Sequence, residues 1–216
     1  MKNLIKKVLE VLFFGFMAGI AIGLGGLIFI KAKEVTFNNL LPGFLFSIGL
    51  VLVCSFGFFL YTGKICYLFT TDEKHYSLKL IVGLVGNYLG ALTLASLCKL
   101  TMTLPSLTES LIKSKLDLNW YQCIILGLFC GMLIYFAVEG YKKIDNPIGK
   151  YVVLIGCVGT FIVCGFEHCV ADMFYLSLDN AISINSVLNI ILIIIGNSLG
   201  GMFVPIMSKI FVKKEE

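Results

Sequence analysis

The stretch GFEHCVADMF, residues 165–174, places Glu167, His168 and Asp172 inside an otherwise apolar segment. Ionisable side chains are costly in a bilayer, and where they occur they commonly mark an ion or proton pathway. Imidazole is the side chain that ordinarily changes charge near neutral pH, so His168 is suited to relay a proton or to donate a hydrogen bond to a solute. The stretch therefore predicts a polar centre within a membrane.

A second interpretation of the same stretch is a metal or haem site. Cys164, His168 and Cys169 offer thiol and imidazole ligands, which would make the protein a membrane redox protein or enzyme. Their spacing matches no recognised ligand motif, and no CxxC pair occurs among the eight cysteines, which is typical of buried free thiols. We therefore expect a protein that is not an enzyme and has no metal or cofactor, with the redox protein as the alternative.

The composition indicates what surrounds these residues. Of the 216 residues, 58% are hydrophobic and 14% are charged, with a mean hydropathy of +0.96, whereas soluble domains have roughly 45–50% apolar residues. A membrane helix needs about 20 apolar residues. Six segments reach or approach that length: residues 11–30, 41–60, 80–98, 121–138, 151–178 and 187–207. The chain is thus predicted to be an all-α membrane protein with six transmembrane helices in one domain, residues 1–216, within a lipid bilayer.

The basic residues, all lysines, are unevenly placed along the chain. If the N-terminus lies inside, the inner segments hold most of them, including Lys6, Lys7, Lys142 and Lys143. The positive-inside rule then predicts a multi-pass protein of the inner (plasma) membrane with both termini cytoplasmic. The net charge of +4 follows from this topology, so we expect no nucleic-acid partner.

The chain also repeats itself. VGNYLGA (85–91) and IGNSLGG (195–201) share the pattern Gly-Asn-x-Leu-Gly, and each half opens with a glycine-containing apolar helix. This predicts two halves, approximately residues 1–108 and 109–216, with three helices each. Since an odd number of crossings makes the second half enter from the opposite side, the halves would be inverted repeats, as in many transporters.

The second helix of each half is interrupted at a matching position. In the first half Thr62-Gly63-Lys64 breaks an apolar run, and in the second half GFEHCVAD (165–172) does so. Backbone freed from helical hydrogen bonds is tolerated in lipid only where it is buried or lines a cavity. We therefore expect the two breaks to face each other across a pathway, with Glu167 and Asp172 hydrogen-bonded to the freed backbone.

Two other features are expected to support this arrangement. The small-residue pairs Gly86/Gly90 and Gly196/Gly200 predict close helix packing, with Asn87 and Asn197 hydrogen-bonding across to neighbours or tying down the broken backbone. In the loop at 104–120, Ser106 and Glu109 form a capping box that predicts a short helix. That helix carries Lys115 on its apolar side, where the ammonium either snorkels to the surface or feeds charge into a vestibule.

These motifs resemble the formate/nitrite transporter family, which includes formate, nitrite and hydrosulfide channels. The resemblance rests on GFEHCVADMF (165–174), similar to the family's Gly-Phe-Glu-His signature, on LYTGK (60–64), similar to its Leu-Phe-Thr loop, and on the paired Gly-Asn helices. It covers essentially the whole chain. It implies an aquaporin-like protomer with inverted halves, assembled as a homopentamer in which each protomer has its own pore.

The same resemblance implies roles for individual residues. Thr62 matches the pore-loop threonine, His168 the central pore histidine and Lys115 the vestibule lysine of the family. Five apolar residues match the two constrictions: Phe46, Leu50 and Phe161 the outer one, and Leu60 and Ile134 the inner one.

Two positions depart from the family pattern. The fourth helix of the family usually carries an asparagine near the inner constriction, where this chain has Gly131, and this suggests a different or wider opening. The Gly-Phe-Glu-His block commonly has an asparagine after its alanine, where this chain has Asp172, a possible extra charge.

Taken together, these residues predict a channel for small monovalent weak-acid anions such as formate, nitrite or hydrosulfide. An anion is costly to desolvate, whereas its neutral conjugate acid passes apolar rings more readily. We expect Lys115 to raise the local anion concentration, the anion to gain a proton at the constriction, and His168 and Thr62 to hydrogen-bond the solute. A water or glycerol channel would carry paired Asn-Pro-Ala motifs, which the sequence lacks.

Overall fold

The computed structural model describes residues 2–36, 38–101, 107–179 and 183–211, with side chains from residue 5 onward. Over these ranges the regular structure is entirely helical, which confirms the all-α prediction. The helices are α1 (Lys2–Val35), α2 (Leu40–Phe46), α3 (Ile48–Phe56), α4 (Tyr61–Lys64), α5 (Tyr76–Thr101), α6 (Leu107–Leu116), α7 (Trp120–Lys143), α8 (Pro147–Val163), α9 (Cys169–Leu178) and α10 (Ile184–Phe211), with a 3₁₀ turn at Ile65–Tyr67.

Four of the described helices, α1, α5, α7 and α10, are long and apolar enough to span a membrane by themselves. A fifth candidate is the broken pair Leu40–Phe56 and Tyr61–Tyr67, whose two parts are bent by 54° at the break. The remaining predicted segment is divided into two shorter apolar helices, α8 and α9. The four uninterrupted segments of the sequence are therefore the four long helices, and the two interrupted segments are the broken ones.

Each break begins at a glycine in the left-handed conformation. Gly57 has a φ of +68° and ends α3, and Gly165 has a φ of +69° just after α8. A residue with a Cβ rarely adopts this conformation, so glycine turns the chain out of the helix at little cost. The predicted position of the first break is wrong by a few residues, because Thr62-Gly63-Lys64 lies in α4 and the non-helical backbone is 57–60.

Glycines bring α1 against α5 and α7 against α10. A Cβ at Gly90 would lie 2.0 Å from the carbonyl oxygen of Phe16, and one at Gly200 would lie 1.9 Å from that of Leu128. These contacts confirm the packing role predicted for the glycines of the third and sixth segments, since only a residue without a side chain allows the backbones so close.

Gly131 belongs to the same packing set. A Cβ at Gly131 would lie 2.2 Å from the carbonyl oxygen of Asn197. The side-chain direction at this position therefore points into the α7–α10 contact. The different or wider opening suggested for the inner constriction stays a prediction.

The loop between the halves contains the short helix that the sequence predicted, α6, with Glu109 in its first turn. The proposed cap, Ser106, lies outside the described residues, as do residues 102–105. The helix places Lys115 near its C-terminal end, facing α9.

Candidate functional site

An asparagine holds the second break in place. The Oδ1 atom of Asn197 accepts a hydrogen bond from the backbone N–H of Cys169 at 3.0 Å, and its Nδ2 donates to the carbonyl oxygens of Glu167 and Gly127, each at 2.8 Å. Asn197 is fully buried. Its amide thus brackets His168, the residue between the two backbone groups of the break, and ties that backbone to α7.

Asn87 does the same for the first break. Its Oδ1 accepts from the backbone N–H of Tyr61 at 2.9 Å, and its Nδ2 donates to the carbonyl oxygens of Phe59 at 2.8 Å and Gly15 at 2.9 Å. The residue bracketed here is Leu60. Both asparagines therefore tie down broken backbone and also hydrogen-bond a neighbouring helix, so their predicted contacts are confirmed.

The two breaks meet at a hydrogen bond. The Oγ1 atom of Thr62 lies 2.9 Å from Nε2 of His168, and both side chains are buried. The other ring nitrogen, Nδ1, accepts from the backbone N–H of Ala171 at 3.3 Å and caps α9. Because Nδ1 is an acceptor, the proton of the neutral ring is on Nε2 and is donated to Thr62. The threonine hydroxyl proton remains available for another acceptor.

Apolar side chains surround this pair. The ring of Phe161 stacks on the ring of His168, with centroids 5.9 Å apart and planes at 19°, and Phe46 meets Phe161 edge-on at 5.8 Å. The other predicted constriction residues, Leu50, Leu60 and Ile134, are each 1% exposed and belong to the same contiguous apolar core. The structure thus places an aromatic ring against His168 and buries the other predicted constriction residues in the apolar core.

Lys115 is turned inward and is shared by two carboxylates. Its Nζ lies 2.5 Å from Oε2 of Glu167 and 2.6 Å from Oδ1 of Asp172, and it sits 5.4 Å from the ring centroid of Tyr175. Burial by itself lowers the pKa of Lys115, but the Asp172 and Glu167 carboxylates outweigh burial and hold that pKa above its ordinary value, so the side chain stays an ammonium. We call Lys115, Glu167 and Asp172 the lysine–carboxylate cluster.

This cluster changes two expectations. The side chains of Glu167 and Asp172 pair with Lys115 and not with the freed backbone, which the asparagines already satisfy. Snorkelling of Lys115 is also wrong, because its side chain is only 12% exposed. With two carboxylates against one ammonium, Lys115 does not present an unpaired positive charge to the adjoining cavity of about 290 Å³.

The other end of the protein has a second charged region that the sequence did not indicate. A cavity of about 120 Å³ is lined by Lys64, Lys142, Cys54 and Leu60, among others, and adjoins a wider one that also contains Lys64 and Lys142. Nearby, the hydroxyl of Tyr67 donates to Glu139. The partners come from distant parts of the chain, so no local pattern could have revealed them.

The structure does not support the alternative of a metal or haem site at Cys164, His168 and Cys169. Among the described residues no group of three His, Cys, Asp or Glu side chains is placed to hold a metal ion. Cys164 is exposed, whereas Cys169 is buried at the start of α9. The three proposed ligands therefore do not form one site.

Comparison with known proteins places this geometry in a family. The sequence model described as "Formate/nitrite transporter" matches residues 1–211 of the chain. The chain belongs to the formate/nitrite transporter family. This confirms the resemblance and, since the family and the named relatives are transporters and channels, also the expectation that the protein is not an enzyme.

Several curated members of the formate/nitrite transporter family are similar in sequence to most of this chain. A formate-nitrite transporter of Entamoeba histolytica is 29% identical, with 87% of this chain and 59% of that protein covered. The formate channel FocA of Haemophilus influenzae is 26% identical, with 63% and 52% covered. The transporter YrhG of Bacillus subtilis is 31% identical, with 93% and 84% covered. The chain thus spans between half and three fifths of the length of the first two.

Two solved structures have the same fold. One, an FNT family ion channel, aligns with a TM-score of 0.86 and 23% identity, covering 95% of this chain and 90% of that one. The other, a pentameric formate channel with formate bound, aligns with a TM-score of 0.82 and 24% identity, covering 96% and 99%. At this identity the likeness establishes the architecture.

Proposed function

We propose that the protein is a membrane channel for small monovalent weak-acid anions, namely formate, nitrite or hydrosulfide, with passage linked to a proton. The observation that carries this proposal is the Thr62–His168 pair, buried at the meeting point of two helix breaks and flanked by Phe161 and Leu60. Family membership, and the relatives named as formate channels and formate-nitrite transporters, support the same substrate class.

The proposed passage follows from the cost of moving charge through the apolar core. An anion loses its hydration there with nothing of opposite charge to replace it, whereas the neutral acid loses much less. The solute therefore crosses the Phe161 and Leu60 levels in protonated form. Between them, the hydroxyl of Thr62 accepts from the Nε2–H of His168 and has its own proton to donate to the solute.

The proposed architecture is an aquaporin-like protomer with six crossings in two inverted repeats and one pathway. The equivalent hydrogen bonds of Asn87 and Asn197 support the repeat, since each brackets one residue of a break and reaches a glycine carbonyl on the first helix of its half. We further propose a homopentamer in the inner (plasma) membrane with both termini cytoplasmic. The pentameric formate channel and the lysine distribution support this.

The test is uptake of labelled formate, nitrite and hydrosulfide into liposomes that contain the purified protein, at two external pH values. The wild type should pass at least one of the three, faster at the pH with more neutral acid. His168→Asn should slow that flux about tenfold or more, because it removes the proton-carrying ring. Thr160→Val, on the outer face of α8, is the matched control. Wild-type flux in His168→Asn, or no flux of any of the three, would overturn the proposal.

A further inference from the structure

Lys115 and Lys64 line cavities at opposite ends of the protein and are compensated very differently. Lys115 has two carboxylates within 2.6 Å, whereas Lys64 makes no ion pair with any described residue, and its Nζ lies 5.9 Å from the ring centroid of Phe59. A half-buried ammonium without a carboxylate is costly unless an anion accompanies it. Lys64 therefore lacks the counter-ion that the other end supplies from the chain itself.

The space beside Lys64 is shaped for a small ligand. The cavity of about 120 Å³ has Lys64 and Lys142 on its walls, no acidic residue among the described residues that line it, and Leu60 and Gly63 also in its lining. A cavity holds a water molecule once it offers roughly 10–15 Å³ of such space, so this cavity has room for an anion of a few atoms with water beside it.

The nearby acidic groups are already engaged. Glu139 accepts from the hydroxyl of Tyr67 and lies 3.2 Å from the ammonium of Lys143 and 3.8 Å from that of Lys142. Glu73, in the adjoining wider cavity, pairs with Lys79. Lys142 is thus partly compensated, whereas Lys64 lines the cavity with no carboxylate paired to it in the part of the chain that the structure describes.

We propose that the cavity between Lys64 and Lys142 is a binding site for a small monovalent anion. Binding there does not depend on transport. Its role as the last hydrated station before the solute passes Leu60 toward His168 rests on the proposed function. The site differs from the lysine–carboxylate cluster, because Lys64 would take its counter-ion from solution whereas Lys115 takes two carboxylates from the chain.

A formate titration of the full-length protein in detergent, followed by saturation-transfer NMR on the formate proton, tests the site. Lys64→Met should weaken binding at least about tenfold, since a unit charge at short range exceeds 1.4 kcal/mol even when partly screened. Lys64→Arg, which keeps the charge, should bind within about threefold of the wild type. Lys209→Met removes an exposed lysine whose Nζ donates to the carbonyl of Phe69, and binding should not change.

Wild-type affinity in Lys64→Met, or equal weakening in Lys209→Met, overturns the site. His168→Asn should retain the Lys64-dependent binding, which separates the site from the pathway centre. Liposomes that pass no anion while this binding persists would refute the channel and leave the site standing.

Cys54 provides a second measurement in the same cavity if Lys64→Met does not fold. In a Cys157→Ser/Cys164→Ser background with Lys64 intact, an anionic methanethiosulfonate should label Cys54 about tenfold faster than a cationic one, relative to a free thiol, and formate should slow that labelling. Equal relative rates, or no protection by formate, would overturn the proposal.

Discussion

The two helix breaks have the same backbone support and different side chains. In each, a left-handed glycine ends a helix and an asparagine brackets one residue, and that residue is Leu60 in the first break and His168 in the second. The support therefore does not depend on what is bracketed. The difference indicates that one scaffold positions a hydrocarbon barrier in one half and a titratable ring in the other.

Replacing either asparagine tests whether Asn87 and Asn197 stabilise the two breaks equally. These substitutions should have the largest effect. Asn87→Leu and Asn197→Leu each leave one buried N–H and two buried carbonyls without that partner, at about 1–3 kcal/mol for each unsatisfied group. Both should lower the free energy of unfolding in detergent by roughly 4 kcal/mol. Asn189→Leu is the control, because the amide of Asn189, on α10 like Asn197, makes only longer hydrogen bonds of 3.2 and 3.4 Å to two carbonyls of α6. A large loss in only one half would break the equivalence.

The packing glycines should show the next largest effect. Gly19→Ala and Gly131→Ala each drive a Cβ into the backbone of the facing helix, which should cost up to about 3 kcal/mol of unfolding free energy. Gly156→Ala is the control, since nothing lies within 4 Å of a Cβ there. A change of flux in Gly131→Ala at unchanged stability would instead show that Gly131 lines the pathway.

Thr62→Val tests the hydrogen bond to His168 while leaving the Asn197 contacts that hold the second break unchanged. The substitution keeps the shape and removes the hydroxyl at Nε2 of His168, so the free energy of unfolding should fall by about 1–2 kcal/mol, and anion flux should fall several-fold. Thr160→Val removes a hydroxyl that bonds only the carbonyl of Gly156 on the outer face and should change neither. Equal flux in both variants would show that Thr62 is only a structural partner.

The smallest expected effect is at the lysine–carboxylate cluster. Asp172→Asn removes one of the two carboxyl groups that pair with Lys115, so the ammonium should be more available to anions at this end, and the anion concentration for half-maximal flux from that side should fall about threefold. Glu109→Gln removes an exposed carboxylate of α6 and is the control. An unchanged value in Asp172→Asn would mean that the cluster does not set anion access.

Much of the fold followed from local patterns. Apolar length predicted the four long helices, because a membrane-spanning helix needs a fixed number of apolar residues. The repeated Gly-Asn pattern predicted two equivalent packing helices, and the interruption around His168 was visible because charged residues stand out in an apolar run. The first break was misplaced by a few residues, since Gly57 and Gly63 are indistinguishable without their backbone angles.

What the sequence determined by itself is the membrane class, the family and the identity of the polar residues, because these depend on composition and spacing along the chain. Only the tertiary structure decided which groups meet. It placed Thr62 on His168, gave Lys115 two carboxylates, turned Gly131 into a helix contact and left Lys64 without a carboxylate. Each depends on contacts between residues far apart in the chain, whose energies are set by distance and burial and not by sequence order.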